Sequence, residues 1–182
     1  MFKPVFRTQP SSSDLTLEAS AEAQAVALNF RRQGPPSASR VKLPARVREE
    51  ARARVAKGGG NPNVWEEMLA ESEIQFGQYR GKTFRWLLEN DVGYTCSIIV
   101  YHGRERERES GDPSQTPLMV QKDALTSYAR LFTPMVAAIA RRRLCEGSRS
   151  VRGVDDTELG FGAHAKGTFK SLYEAKDMES RT

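Results

Sequence analysis

The sequence contains few residues of the kinds that form metal sites and disulfides. Its 182 residues include two cysteines, Cys96 and Cys145, and two histidines, His102 and His164. No two of these four stand at a Cys-x-x-Cys or His-x-x-x-His spacing, which structural zinc sites usually require. No metal or other cofactor is therefore expected. The cysteines are predicted to be reduced and buried, and the histidines to lie at the surface.

Long apolar runs are also missing. No run approaches the roughly 18 residues that a membrane span needs, and the opening residues MFKPVFRTQPSSS lack an apolar core of signal-peptide length. We therefore expect an intracellular protein, nuclear or cytoplasmic, without a membrane partner. Hydrophobic residues make up 38% of the chain. That fraction is low for a globular protein and predicts that part of the chain is unfolded when alone.

Positive charge is present in excess and is concentrated in one segment. The net charge is +5, and residues 40–57 alone hold seven basic and two acidic residues. A helix is predicted over residues 44–58, with only Val47, Ala51 and Val55 on its apolar stripe. Such a basic helix is either a solvated linker or a contact for nucleic-acid phosphates, and both interpretations stay open.

Two further segments have the apolar spacing of helices, residues 14–33 and 118–145. Pro134 must kink or restart the second of these, with Thr133 as the new N-cap. Residues 91–103 suit a helix slightly better than a strand, and the strand remains an alternative.

The segment IQFGQYRGKTFRWLLE, residues 74–89, has an echo later in the chain. It aligns without a gap on LGFGAHAKGTFKSLYE, residues 159–174. The matched positions are apolar anchors, a glycine, a threonine suited to cap a helix and the inner residues of that helix. Residues 74–83 alternate around Arg80-Gly81 and predict a short hairpin, followed by a helix that Thr83 caps. An internal repeat of this kind predicts two related hairpin–helix units.

The repeat also bears on the run GQYRGKT, which looks like a phosphate-binding loop. Such a loop reads Gly-x-x-x-x-Gly-Lys-Thr, but only three residues separate Gly77 from Gly81. Phe76 stands where the first glycine belongs, and the second copy loses the Lys-Thr pair. Nucleotide hydrolysis is therefore the least expected activity.

The run GGGNPN, residues 58–63, marks the predicted boundary between a tail and the folded part of the chain. Residues 1–63 are predicted to be a largely disordered tail with a basic helix and linker. Residues 64–146 would hold the first hairpin–helix unit and a helical middle, and residues 147–182 a second, degenerate and truncated unit. We thus predict an α+β fold, mostly helical, with two hairpin–helix units around a helical middle and a largely disordered N-terminal region.

The block FGQYRGKTFRWLLENDVGY resembles a family. Similar blocks with the pattern F-G-x-Y-[KR]-G-x-T-F-x-W-L-L-E-N-D-V-G-Y occur in an expanded set of uncharacterised vertebrate proteins. A looser F-G-x-Y-K-G pattern resembles the small domain described as a quorum-sensing-regulated virulence factor, which also occurs beside nucleases. The resemblance covers residues 74–101. It implies a small hairpin-plus-helix module associated with nucleic-acid metabolism, and it implies no reaction.

The function expected from these features is a non-enzymatic interaction module associated with DNA or RNA. An aromatic side chain beside cations suits base stacking with phosphate contact, although each residue could equally serve packing or a turn. The candidate nucleic-acid-binding residues are Tyr79, Arg80, Lys82, Arg46, Arg48, Arg52 and Arg54.

The sequence leaves two alternatives to this function. One is a protein–protein adaptor that binds its partner through the helical middle. The other is an enzyme, for which no Ser/His/Asp or Cys/His set has support. Glu89 and Asp91 are better explained by a helix end and a helix cap.

Overall fold

The computed structural model describes residues 2–34, 41–108 and 116–155, with only the backbone for residues 147–155. Within these ranges the secondary structure consists of seven helices: α1 (Ala21–Gln33), α2 (Pro44–Lys57), α3 (Trp65–Ala70), α4 (Phe84–Asn90), α5 (Val92–Arg108), α6 (Pro117–Arg130) and α7 (Thr133–Asp155). In the described part, β structure is limited to two isolated bridges, Thr8–Leu15 and Glu73–Thr83. The predicted α+β fold is therefore wrong, because this part of the chain is helical and has no sheet.

The chain divides into two compact units, Met1–Ile139 and Ala140–Thr182. In the second unit the described residues continue α7 as far as Asp155, beyond residue 145, where the predicted helix ends. Arg142 donates to Glu146 one turn further along this helix at 2.7 Å. The part of the predicted second hairpin–helix unit beyond residue 155, with the echo at residues 159–174 and His164, lies outside the described residues.

The N-terminal region is ordered, contrary to the prediction of disorder. The backbone N–H of Val5 donates to Glu89 at 3.1 Å, and the Arg7 guanidinium donates to the carbonyl of Asn90 at 3.2 Å. The ring of Phe6 packs edge-on against Phe132, with 5.5 Å between centroids. Sparse apolar residues are sufficient here because Leu15 belongs to the core cluster and Phe2 and Phe6 pack against it.

Helix α1 starts later than predicted and packs through alanines. Ser20, which accepts a hydrogen bond from the N–H of Ala23, is its N-cap. Ala23 and Ala27 lie one turn apart and are buried. Small side chains let the helix approach its neighbours closely, so a face with little apolar area still joins the core.

Residues 73–83 form a compact turn, and the predicted hairpin strands are absent. The N–H of Ile74 donates to the Lys82 carbonyl at 2.8 Å, and the N–H of Gly81 donates to Ile74 at 2.9 Å. A regular ladder does not continue beyond these bonds, because the N–H of Arg80 donates back to Gly77 inside the turn at 3.3 Å. The N–H of Gln75 donates to the Gln121 side chain of α6 at 2.7 Å, which joins the turn to that helix.

Several local predictions in the middle of the chain are confirmed. Thr83 caps α4 by accepting from the N–H of Trp86, and Asp91 accepts from the N–H of Tyr94 at the start of α5. Residues 92–108 form a helix, which settles the alternative left open. The long apolar pattern divides just before Pro134, as predicted, with α6 ending at Arg130. Thr133 is the first residue of α7 and not the N-cap that was predicted.

The core lies among α3, α4, α5 and α6, and α2 packs on α3 and α6. Its largest fully buried side chains include Tyr79, Phe84, Leu69, Leu87, Leu88, Leu125 and Tyr128. Cys96 is buried as predicted, whereas the prediction is wrong for Cys145, which is exposed. Across the described ranges, no helix is both long and apolar enough to cross a bilayer.

Candidate interaction site

Tyr79 lies inside the protein and not at the tip of a hairpin. Its side chain is 1% exposed, and its hydroxyl donates to Asp91 at 2.7 Å. Its ring packs against Trp86 and Tyr94, with centroids 5.4 Å and 5.0 Å away. Burial, and then the hydrogen bond to Asp91, raise the pKa of Tyr79 well above its ordinary value. The ring face is thus occupied by protein and is not presented to a nucleic-acid base.

Lys82 and Arg80 flank the same turn. The Lys82 ammonium lies 4.7 Å from the centroid of the Trp86 ring and 3.6 Å from Glu22 of α1. Arg80 is half-buried. The Lys82 charge is therefore engaged within the protein by a cation–π contact and an ion pair.

Three successive backbone amides, those of Arg80, Gly81 and Lys82, donate inside the turn. The N–H of Arg80 donates to Gly77 at 3.3 Å, that of Gly81 to Ile74 at 2.9 Å, and that of Lys82 to Tyr79 at 3.1 Å. A phosphate loop needs such amides directed at the phosphate oxygens. This run thus resembles a phosphate loop in its sequence but not in its hydrogen bonding.

The four candidate arginines of α2 divide into two pairs. Arg46 donates to Glu50 at 2.9 Å, and Arg54 donates to the Glu71 carbonyl at 2.9 Å. Arg48 and Arg52 are exposed, and within the described ranges neither has a hydrogen bond or an ion pair. The structure therefore places Tyr79 and Lys82 against α1, α4 and α5, whereas Arg48 and Arg52 lie on the exposed side of α2.

Acidic side chains offset part of the positive charge at the start of α2. Lys42 donates to Glu50 at 2.7 Å and lies 3.3 Å from Glu73. The hydrogen bonds from Lys42, then Arg46, lower the pKa of Glu50. The basic segment is thus partly neutralised by acids close to it, which the count of charges along the sequence did not indicate.

An apolar cleft of about 240 Å³ lies between α2, α3 and α6. Its apolar lining residues are Pro44, Val47, Trp65, Met68, Leu69, Phe84, Pro117, Val120 and Ala124. Trp65, the first residue of α3, is 52% exposed. The cleft exists because α2 and α6 present small side chains such as Val47 and Ala124, which do not fill the space between the helices.

Sequence reasoning missed this cleft. The available signal was an aromatic residue, Trp65, at the start of a short helix, together with the small residues of the α2 stripe. Neither reveals a cleft, because the opening depends on how three helices distant in sequence pack together.

A polar cluster joins α5 to α6 beside the cleft. His102 is only 3% exposed, so its predicted surface location is wrong, and its Nε2 lies 2.6 Å from Asp123. Arg106 donates to the same carboxylate at 2.6 Å. Partial burial raises the pKa of Asp123, but the hydrogen bonds from Arg106 and His102 outweigh this effect, so the pKa is lowered. Among the described residues, no group of three or more His, Cys, Asp or Glu side chains is placed to hold a metal ion.

No protein-family model, curated protein or solved structure matches this chain. The family resemblance of residues 74–101 therefore stays a prediction.

Proposed function

We propose that the protein is a non-enzymatic interaction module that binds a protein partner in the α2–α3–α6 cleft. The observation that carries this proposal is the apolar lining of the cleft beside a half-exposed tryptophan. Tryptophan is enriched among the residues that contribute most to protein–protein binding. At about 240 Å³ the cleft is smaller than the roughly 300–1,000 Å³ of small-molecule sites, and it suits one or two side chains of a partner.

The direct test is crosslinking of the full chain to its partners in cells, with and without nuclease. We expect Trp65→Ala to lose the partners that survive nuclease treatment. Tyr101→Ala is the matched control, because Tyr101 is an aromatic residue 60% exposed on α5 and does not line the cleft. If Trp65→Ala retains every partner while Tyr101→Ala loses them, the cleft is not the binding surface.

Nucleic-acid association is a second candidate, favoured by Arg48 and Arg52. These side chains lie one turn apart on the exposed side of α2, and neither is paired within the described part of the chain. Two such cations suit phosphate contact, which weakens with added salt. Fluorescence anisotropy with single-stranded and duplex oligonucleotides tests it: binding should weaken in salt and fall in Arg48→Ala/Arg52→Ala. No binding at low salt removes this candidate.

We further propose an intracellular setting, nuclear or cytoplasmic. Cys96 is a free thiol in the core and Cys145 an exposed one, and free thiols persist in reducing compartments. Fluorescence imaging of a fusion protein checks this location.

A further inference from the structure

The polar groups that line the cleft are nearly all engaged within the protein. The Ser72 hydroxyl donates to the Met68 carbonyl at 3.0 Å, and the Ser127 hydroxyl donates to the Asp123 carbonyl at 2.9 Å. Buried and half-buried polar groups that already have partners offer a ligand little new hydrogen bonding.

The same holds for the amide and for two of the charged groups in the lining. The Gln121 side chain accepts from the N–H of Gln75 at 2.7 Å and donates to the Glu73 carbonyl at 2.6 Å. Lys42 pairs with Glu50 at 2.7 Å, and Asp123 pairs with Arg106 at 2.6 Å. These contacts hold the lining side chains in place. A charged interaction with a bound partner must therefore come from another residue.

That residue is Arg48. It lines the cleft, and it is the charged lining side chain to which the described part of the chain gives no hydrogen bond or ion pair. Its neighbour Val47 is buried in the apolar lining. A guanidinium next to an apolar opening is matched by a carboxylate next to an apolar side chain, since arginine pairs with carboxylates through two parallel hydrogen bonds.

Resting on the proposed function, we infer that the partner is a peptide segment with a large apolar side chain and an adjacent Asp or Glu. The apolar side chain enters the cleft beside Trp65, and the carboxylate pairs with Arg48. The apolar contact provides most of the affinity, and the ion pair selects among apolar segments by charge. The carboxylate that pairs with Arg48 belongs to an internal Asp or Glu side chain of the peptide. A free carboxylate at the end of a chain is tested separately.

The experiment begins with a displayed library of random 12-residue peptides selected on the full chain. Selected sequences are then synthesised with acetylated and amidated ends, in versions with the flanking acid kept, replaced by Gln or replaced by Lys, and also in a version with a free terminal carboxylate. Binding is measured by fluorescence anisotropy to wild type, Trp65→Ala, Arg48→Gln, Arg48→Glu and Arg52→Gln. Arg52→Gln is the matched control, because this exposed arginine is one turn away and does not line the cleft.

We expect the acidic peptide to bind about three- to tenfold more tightly than its Gln version, as a partly exposed ion pair provides. Arg48→Gln should abolish that ratio, Arg48→Glu should favour the Lys version, and Arg52→Gln should keep the ratio. Trp65→Ala should weaken all versions together.

The outcomes separate this inference from the proposed function. If Trp65→Ala weakens binding but acidic and Gln peptides bind equally, the charge preference is overturned and the cleft remains a protein-binding site. If only peptides with a free terminal carboxylate bind, or if a single-stranded oligonucleotide displaces the peptide through Arg48, the acidic side chain is not the ligand. If the library yields no peptide sensitive to Trp65→Ala, the proposed function falls as well.

Discussion

The turn at residues 73–83 and the cleft between α2, α3 and α6 each contain an aromatic and a basic side chain, but they differ in how far the protein itself engages these two side chains. In the turn, Tyr79 and Lys82 both have partners within the protein. At the cleft, half of Trp65 is exposed, and Arg48 has no hydrogen bond or ion pair within the described chain. The turn residues therefore stabilise the fold, whereas Trp65 and Arg48 are accessible to the partner that we propose.

The largest effect is expected when Tyr79 is truncated. Tyr79→Ala removes a buried ring and leaves one oxygen of the Asp91 carboxylate without its donor. The free energy of unfolding should therefore fall by about 3–5 kcal/mol. Urea denaturation followed by circular dichroism measures this. A change in the free energy of unfolding below about 1 kcal/mol would show that the turn contributes little to stability.

A smaller loss is expected at Gly77. Its φ is +65°, and an added Cβ would collide with the Tyr94 hydroxyl. Gly77→Ala should therefore cost about 1–3 kcal/mol. Gly81→Ala is the matched control, since its φ is also positive, at +89°, but an added Cβ there meets open space. Both variants are measured in thermal and urea melts. An equal loss of stability in Gly77→Ala and Gly81→Ala would mean that the contact with Tyr94 does not contribute to the effect.

The turn should also make the protein sensitive to alkali. Burial raises the pKa of Tyr79 above its ordinary value of 10.0, so the folded state favours the neutral phenol. This contribution is fully present below pH 10 and is lost as the pH rises beyond it, because the unfolded chain then releases the proton more readily. Urea melts between pH 8 and pH 11 should show this loss, and Tyr79→Phe should reduce it. An identical alkaline slope in both proteins would contradict the assignment.

The smallest change in the turn is expected for Lys82. Lys82→Ala removes a cation–π contact and a half-exposed ion pair, which together contribute about 0.5–1 kcal/mol. Turnover of labelled nucleoside triphosphate, compared between wild type and this variant, provides the second readout. A wild-type turnover that Lys82→Ala abolishes would restore the phosphate-loop interpretation.

Local features of the fold could be predicted from the sequence, and long-range ones could not. The Thr83 cap, the Asp91 cap and the break at Pro134 depend on residues within a turn of one another. The N-terminal segment is ordered by contacts such as that between Val5 and Glu89, 84 residues apart. Its low apolar content indicated disorder because composition does not show which distant surface each residue reaches.

The same distinction applies to the candidate site. The sequence drew attention to Tyr79 and Lys82 because they belong to a repeated block, but their partners Asp91 and Trp86 show that this block serves packing. His102 appeared to be a surface residue because its partner Asp123 lies on another helix. Of the predicted site residues, Arg48 lines the cleft, and only the packing of α2 on α3 and α6 reveals that.

The most direct measurement compares one variant of the cleft with one variant of the turn. Trp65→Ala and Lys82→Ala are compared with wild type for their unfolding midpoint and for nuclease-resistant partner capture in cells. We predict that both variants keep a midpoint close to that of wild type and that Trp65→Ala alone loses the partner. A folded Lys82→Ala that loses the partner, with Trp65→Ala retaining it, would contradict the assignment of partner binding to the cleft.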